Sequence, residues 1–509
     1  MTSQYRTSVI SFEGGLIQNL APIEQGSQFP GSLVVAKNFE PAPKGGYRRI
    51  SGYQKWDPSE VPGTGDILGV FVYRDEVVAC RDKNIYSSTG SGWTLIHTQA
   101  NDPVYYQGDT YNWGTGDKII LCDGANQPVT YDGTAVSTIA DTAVLAATKA
   151  KSFNRHMHFT LNNELIFSAP SNETDFDPAN GAGVINIGKL SNGLIIFRER
   201  LFILGIDHIH VLSGQTAADF VLETVTDRTG CIDPRTAREF NSDVYYAAQD
   251  GIRTIAGTER NDDLELSSVT RTIPALVEDL FVVDFSNKTA TAVVSMRENQ
   301  YRIFFSNSVA PRQSSRGMLG GLRLSSNGGL FTEWYEIEGI RAACSDSSTR
   351  EVEDTVIHAD YDGFVYKQFM GDSFDGNEID AQMITASTPL DDPEIRKTLY
   401  TATFVIDEVG RADIGNTDVN PIFTYTYDAF RTTNSQPPAM QLGTGLAGAS
   451  VYGSAVYGTS TYGTGKTTKE RVNLRGSGEY VSFGFGSFDV KSPYAIRNMT
   501  VEYSLDGRQ

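Results

Sequence analysis

Short apolar stretches alternate with polar, turn-forming residues along most of the chain, and one unit recurs: a strand, a polar turn and a second strand. Its copies begin near Asp75 (DEVVACRDKNIYSS), Asp117 (DKIILCDGANQPVTYDG), Asn163 (NELIFSAPSNETDF), Glu199 (ERLFILGIDHIHVLSG), Ser242 (SDVYYAAQDGIRTIAG), Asn299 (NQYRIFFSNS) and Asp354 (DTVIHADYDGFVYKQF). Successive starts lie 42, 46, 36, 43, 57 and 55 residues apart. A blade of four short strands needs roughly 40–45 residues, so this period predicts a β-propeller over residues 61–371, with insertions after Ile255 and after Ser306. The competing arrangement is a set of unrelated β-hairpins in sandwiches. Asp123–Gly124, Asp132–Gly133, Asp250–Gly251 and Asp362–Gly363 are dipeptides that tight hairpin connections favour. Helical periodicity is scarce, and only Ala140–Lys151 and Ile273–Phe281 read as short helices.

The pattern changes near Gly371. Longer strands are predicted at Ile379–Ser387, Leu399–Asp407, Pro421–Ala429, Lys469–Arg475, Tyr480–Val490 and Ala495–Tyr503. This reads as a β-sandwich-like domain over residues 372–509, with a Gly/Tyr-rich loop at 443–465 in which Tyr–Gly recurs at Tyr452, Tyr457 and Tyr462. Residues 1–60 are turn-rich and are expected to form an N-terminal arm packing on other parts of an assembly. The predicted class is therefore all-β.

Composition sharpens the picture. The chain has 509 residues, room for two or three domains, and 49 Gly with 24 Tyr and 26 Phe suit many short strands joined by turns. A formal net charge of −20 argues against a general nucleic-acid binder, which needs basic residues against the phosphates. Cys80, Cys122, Cys231 and Cys344 form no CxxC pair and read as reduced, buried thiols of a protein made in a cytoplasm. The opening MTSQYRTSVISFEGG has no apolar signal-peptide core, and no apolar run approaches the roughly 20 residues of a membrane span. Neither secretion by that route nor membrane insertion is expected.

Several motifs invite chemistry and fall short of it. STYGTGKT, Ser460–Thr467, places Ser where a phosphate-binding loop needs its first Gly, and the residues after it alternate like a strand. Lys466 is thus expected to bind no nucleotide. The pairs His156/His158 and His208/His210 would each point to one face of a strand, yet no cluster of Cys or carboxylates lies at fixed spacing beside either pair. DSFDGNEID, Asp372–Asp380, fails the calcium-loop pattern and reads as a linker. TGSGWT, Thr89–Thr94, lacks the Asp of a sialidase Asp-box and reverses its Thr–Trp order, and no GxSxG elbow is present. No residue is singled out as catalytic, cofactor-binding or metal-ligating.

Three stretches together carry a family resemblance. Phe12–Tyr53 (FEGGLIQNLAPIEQGSQFPGSLVVAKNFEPAPKGGYRRISGY) resembles the opening of tail nozzle, or tail tubular, proteins of short-tailed bacteriophages. The matching residues are Gly14, Gly15, Pro22, Asn38, Gly46, Arg48, Arg49 and Gly52. Leu161–Gly214 and Thr229–Asp263 look like consecutive blade units of the same proteins, and Arg471–Gly478 is similar to a strand of theirs. The closing SLDGRQ also resembles their ending, from which a nearly complete chain is expected.

The resemblance implies a structural virion protein with no enzymatic activity. It implies a homohexameric ring, a β-propeller in each subunit, and an axial channel that conducts DNA during ejection without specific binding. Implied partners are the adaptor (head-to-tail connector) proteins below the portal, the tail fibre or spike, and needle-type proteins. The implied location is the virion tail, assembled in the host cytoplasm. An acidic excess suits a channel that should not hold the DNA backbone. Two other readings stay open: a receptor- or carbohydrate-binding tail protein, and a propeller glycosidase with paired carboxylates.

Overall fold

The computed structural model describes residues 5–260, 268–282, 288–307, 316–324, 330–348, 354–408, 420–429, 435–442 and 467–506. The expected strands of 379–503 are present nearly residue for residue, whereas the loop at 443–465 and Lys466 lie outside the described residues.

The hairpin units become radial antiparallel sheets. The first blade is Ile67–Tyr73, Glu76–Arg81, Asn84–Ser88 and Thr94–Thr98. The second is Gln107–Tyr111, Lys118–Cys122, Val129–Tyr131 and Val136–Thr138. The third is Lys149–Phe153, His156–Leu161, Glu164–Phe167 and Gly183–Asn186, and the fourth Ser191–Phe197, Arg200–Gly205, Ile209–Ser213 and Val221–Thr226. The fifth has three strands among the described residues, Arg238–Phe240, Asp243–Ala248 and Gly251–Thr254. The last blade, Cys344–Ser348, Thr355–Ala359 and Val365–Gln368, takes its outer strand from the other end of the chain, Tyr53–Lys55, which pairs antiparallel with Val365–Gln368. Closing a ring with a strand from the opposite terminus means that the circle forms only when both ends of the propeller are in place.

Between the fifth and the last of these six blades stands a seventh sheet. Its strands Lys288–Ser295, Gln300–Asn307, Arg316–Leu324 and Leu330–Glu338 start at the axis and run outward. It does not stop there. Leu33–Lys37 joins Leu330–Glu338 in parallel, and Ile379–Thr385, Val481–Asp489, Ile422–Tyr427 and Met440–Gln441 continue the same nine-stranded sheet. A second sheet of Phe39–Pro41, Tyr47–Arg49, Tyr494–Leu505, Lys397–Glu408 and Thr467–Asn473, flanked by Arg6–Ser11 and Ser477–Gly478, packs against it. Aromatic rings fill the space between the two sheets: Phe404 lies 4.8 Å from Phe423 and 5.3 Å from Phe485, and Phe12 lies 5.9 Å from Phe485. The fold is all-β, a propeller with a β-sandwich grown from one of its sheets. Of residues 1–60, expected as an arm, the described residues 5–60 lie across their own chain, with strands in both sandwich sheets and in the closing blade.

Two local readings change. Ala140–Lys151 is not a helix. A 3-10 turn, Thr142–Val144, is capped by Asp141, and the segment then enters the innermost strand Lys149–Phe153. Its Ala-rich helix propensity is a weak preference, and pairing in the third blade overrides it. At Ile273–Phe281 the helix is a single turn, Pro274–Val277, followed by the π-turn Glu278–Val282. The hairpins at Asn154–Arg155, Arg198–Glu199 and Asn241–Ser242 turn through two successive positive-φ residues without glycine. This is the backbone of the mirror-image turn that matches strand twist. Cys80, Cys122, Cys231 and Cys344 are free and buried, and burial raises the thiol pKa of each.

Candidate functional site

Two regions concentrate charge away from the outer surface: the joint between propeller and sandwich, where it is buried, and the propeller axis, where it is half-buried. At the joint, the fully buried Glu40 accepts from Arg48 Nε at 2.7 Å through Oε1. Its Oε2 accepts from Gln300 Nε2 at 2.8 Å and Arg302 Nη2 at 3.0 Å. Arg48 also reaches Glu298 at 2.7 Å, and Arg302 reaches Gln368 of the closing blade at 3.2 Å. One carboxylate thus ties a sandwich strand, the shared sheet and the last blade together. Glu333, equally buried, accepts the Gly14 N–H at 2.6 Å and the Tyr335 hydroxyl at 2.5 Å, and pairs with Arg323 at 2.8 Å.

Several of the residues matched within Phe12–Tyr53 lie at this joint or in the sandwich beside it. The Gly15 N–H donates to Tyr47 Oη at 3.0 Å. Asn38, at φ +54°, donates to the carbonyls of Glu338 and Asp380 at 2.9 and 2.8 Å and so clips the propeller side to the sandwich side. Gly46, at φ +83°, leaves room for the chain at Ile496, whose carbonyl oxygen would lie 2.1 Å from any Cβ there. Gly52 does the same at Ser373, where a Cβ would meet the carbonyl oxygen at 2.0 Å. Arg49 is fully buried and bonds Asp489 Oδ1 at 2.6 Å, the Asp372 carbonyl at 3.1 Å and the Lys491 carbonyl. Pro22 opens the short helix Pro22–Gln28, which the sequence pattern did not reveal.

At the axis, the innermost strands of the propeller sheets enclose a cavity of about 360 Å³. Its charged lining is Arg74, Lys149, Lys151, Arg235 and Arg238 against Asp109 and Asp346. Lys151 Nζ donates to Asp109 at 2.6 Å, Arg238 stands 3.5 Å from Asp346, and Arg235 is held by Asp233 at 2.6 Å. Arg238 Nε also donates to the Ala292 carbonyl at 2.8 Å, and Asp346 Oδ2 accepts the Val72 N–H at 3.1 Å. Thr291 and Ser345 share a hydroxyl hydrogen bond of 2.7 Å. Lys149 differs from these: its ammonium donates to the Gly108 carbonyl at 2.6 Å and has no carboxylate within 4 Å among the described residues. Burial, with Lys151 and Arg238 nearby, lowers its pKa to about 8 despite the attraction of Asp109. Burial pushes the Asp346 carboxyl up.

The histidine pairs are structural in their surroundings. His156 Nδ1 lies 2.6 Å from the Ser168 carbonyl, while His158 is packed among Phe153, Phe167 and Phe220, with neither ring nitrogen hydrogen-bonded among the described residues. Burial lowers the His158 pKa to about 3. His208 is flanked by Ser191 Oγ at 2.9 Å and Asp207 at 2.8 Å. Among the described residues no group of three His, Cys, Asp or Glu is placed to hold a metal. In the 372–380 segment, Asp372 meets Ser492 and Asp380 pairs with Lys37 at 2.5 Å. The Thr89–Thr94 turn receives its carboxylate from outside, since Asp57 accepts from Ser88 Oγ at 2.7 Å and the Gly92 N–H at 2.5 Å. Among the described residues no helix is long and apolar enough to cross a membrane.

No family model and no curated protein matches the chain. Solved structures similar to it include a chain of the mitotic checkpoint complex, at 10% identity over 61% of this chain and 92% of that one, with a TM-score of 0.40. BBS1N in complex with ARL6DN matches at 10% identity over 63% and 97%, with a TM-score of 0.39. The N-terminal domain of Nup159 matches at 9% over 65% and 98%, with a TM-score of 0.35.

Proposed function

We propose that the chain is a structural protein of a bacteriophage virion, the tail nozzle that extends the portal and adaptor channel and conducts DNA during ejection. The observation that carries the reading is the joint. Among the residues on which the family resemblance rests, Gly14, Asn38 and Arg48 tie the sheet shared with the propeller to the sandwich, while Gly46 and Arg49 hold strands of the sandwich beside it. A load-transmitting ring subunit needs two β bodies that cannot hinge, and buried ion pairs between them supply that rigidity. The acidic excess of the chain, −20 in net charge, supports passage of DNA without adhesion.

In this reading six copies form a ring, with adaptor proteins above it and fibre, spike or needle proteins around it. Electron microscopy of negatively stained particles tests it. A hollow six-fold ring is expected; a trimer points instead to a fibre or spike, and a monomer to an enzyme. No duplex affinity is expected at moderate salt, for monomer or ring. Micromolar binding that weakens steeply as salt rises would place a DNA-holding basic surface on the molecule and overturn the non-adhesive channel.

A further inference from the structure

We propose that the axial cavity of the propeller is a binding site for a phosphate-type oxyanion, centred on Lys149 and completed by Lys151 and Arg238. The site is an excess of positive charge inside an acidic protein. Five basic side chains and two acidic ones line the cavity. Asp233 neutralises Arg235 from just outside the lining, so two positive charges remain without a carboxylate of their own.

Lys149 is the centre of that excess. A half-buried ammonium held by a backbone carbonyl, with no carboxylate within 4 Å among the described residues, keeps part of its desolvation cost, because a neutral acceptor returns little of what water supplied. Structural logic alone would favour an apolar side chain or a facing carboxylate, and Glu40 and Glu333 show that this chain uses facing carboxylates elsewhere. A bound anion supplies the missing counter-charge.

The cavity has the room and the donors. A volume of about 360 Å³ exceeds by roughly tenfold the space one water occupies, so an oxyanion fits with part of its hydration shell. The hydroxyls of Thr110, Thr291, Ser345, Ser347 and Ser348 line the same space. They can donate to phosphate oxygens that the cations do not reach. Asp109 and Asp346 are already engaged with Lys151 and Arg238, which limits their repulsion of a guest. Lys149, Lys151 and Arg238 come from the third and fifth blades and the carboxylates from the second and the last, so only the closed ring assembles the site.

The same chemistry is offered by free phosphate and by the phosphates of a nucleic-acid backbone, and the experiment separates them. Titration calorimetry of the full chain with inorganic phosphate, in a low-salt buffer without other oxyanions, is expected to show one saturable site per chain. Lys149→Met should weaken it at least tenfold, Lys151→Met should weaken it as an independent variant, and Lys44→Met, at an exposed position, should leave it unchanged. Far-UV circular dichroism checks that each variant is folded, and if one fails the other carries the test. Competition by a short duplex identifies backbone phosphate as a source, while its failure to compete identifies free phosphate. Absence of saturable phosphate binding to the unmodified chain, or binding that survives both lysine variants, overturns the proposal. Phosphate binding is read on single chains, so it stands or falls independently of ring formation.

Discussion

The joint buries its charged side chains and the axis half-buries its own, and the two regions treat them in opposite ways. At the joint every charge meets its complement: Glu40 faces Arg48, Arg302 and Gln300, and Arg302 also lies 4.0 Å over the Phe369 ring. At the axis, Lys149 is left with a single carbonyl. A buried charge whose partners are complete holds a structure together. One whose partner is missing costs stability and marks a place where something else is meant to bind. The two regions should therefore respond to mutation with opposite signs.

The largest effect is expected at Glu40. Glu40→Ala leaves Arg302, which is 1% exposed, without its counter-charge, and should cost about 3–5 kcal/mol in urea unfolding. The double variant Glu40→Met with Arg302→Met should be markedly milder than the single one, because both buried charges go together. Equal losses in the single and double variants would mean that packing, not pairing, holds the joint. Gly46→Ala should follow at about 2–4 kcal/mol. It adds strain at φ +83° to a Cβ lodged 2.1 Å from the Ile496 carbonyl oxygen.

Lys149→Met should move stability the other way. Its native pKa lies near 8, against 10.5 for an exposed lysine. Between those values the unfolded chain holds a proton that the native one has released, so stability rises with pH across that window. Below pH 8 the full cost of burying the ammonium is present. Lys149→Met should accordingly gain about 1–2 kcal/mol at pH 7 without phosphate, and the gain should fade as pH climbs towards 10. A loss of stability at pH 7 would show that Lys149 is paired in solution and would remove the contrast between axis and joint.

The architecture was largely legible in the sequence, and the axial site was not. Periodic hairpins betray blades because each blade is local: Asp243–Ala248 and Gly251–Thr254 sit side by side in the chain and in space. The sandwich strands were legible too, since each is long and alternates; Ile379–Thr385 is buried at every second residue. The axial cavity takes Lys149 from one blade, Arg238 from another and Asp346 from a third, roughly a hundred residues apart, and no spacing rule links them. The Ala-rich run Ala140–Lys151 hid its two lysines further by imitating a helix. Turns such as Arg198–Glu199 escaped for a related reason. Their positive φ is imposed by strand twist on residues that do not prefer it, so composition gives no sign.

The smallest effect is expected at His158, a buried polar group of a third kind: it can lose its charge instead of pairing it. Among the described residues both ring nitrogens lack partners, and three phenylalanine rings surround it. Its native pKa of about 3, against 6.5 for a free imidazole, means that the folded chain keeps it neutral while the unfolded chain takes up a proton. The unfolded state therefore binds more protons between those values, and His158 lowers stability progressively as pH falls below 6.5. At pH 7.5 both states hold the neutral ring, so His158→Phe should change stability by less than about 1 kcal/mol, the aromatic packing making up for the altered shape. At pH 5 the variant escapes the protonation penalty and should be more stable than the unmodified chain by about 1–2 kcal/mol. His358 is buried beside Tyr366 and shows the same depression to about 3, so part of the acid sensitivity should survive in the single variant. Urea midpoints at the two pH values decide the matter. Should the difference be large at pH 7.5 and respond to added zinc, the His156/His158 pair would be a metal site after all, and charge avoidance would not explain why this histidine stands without a partner.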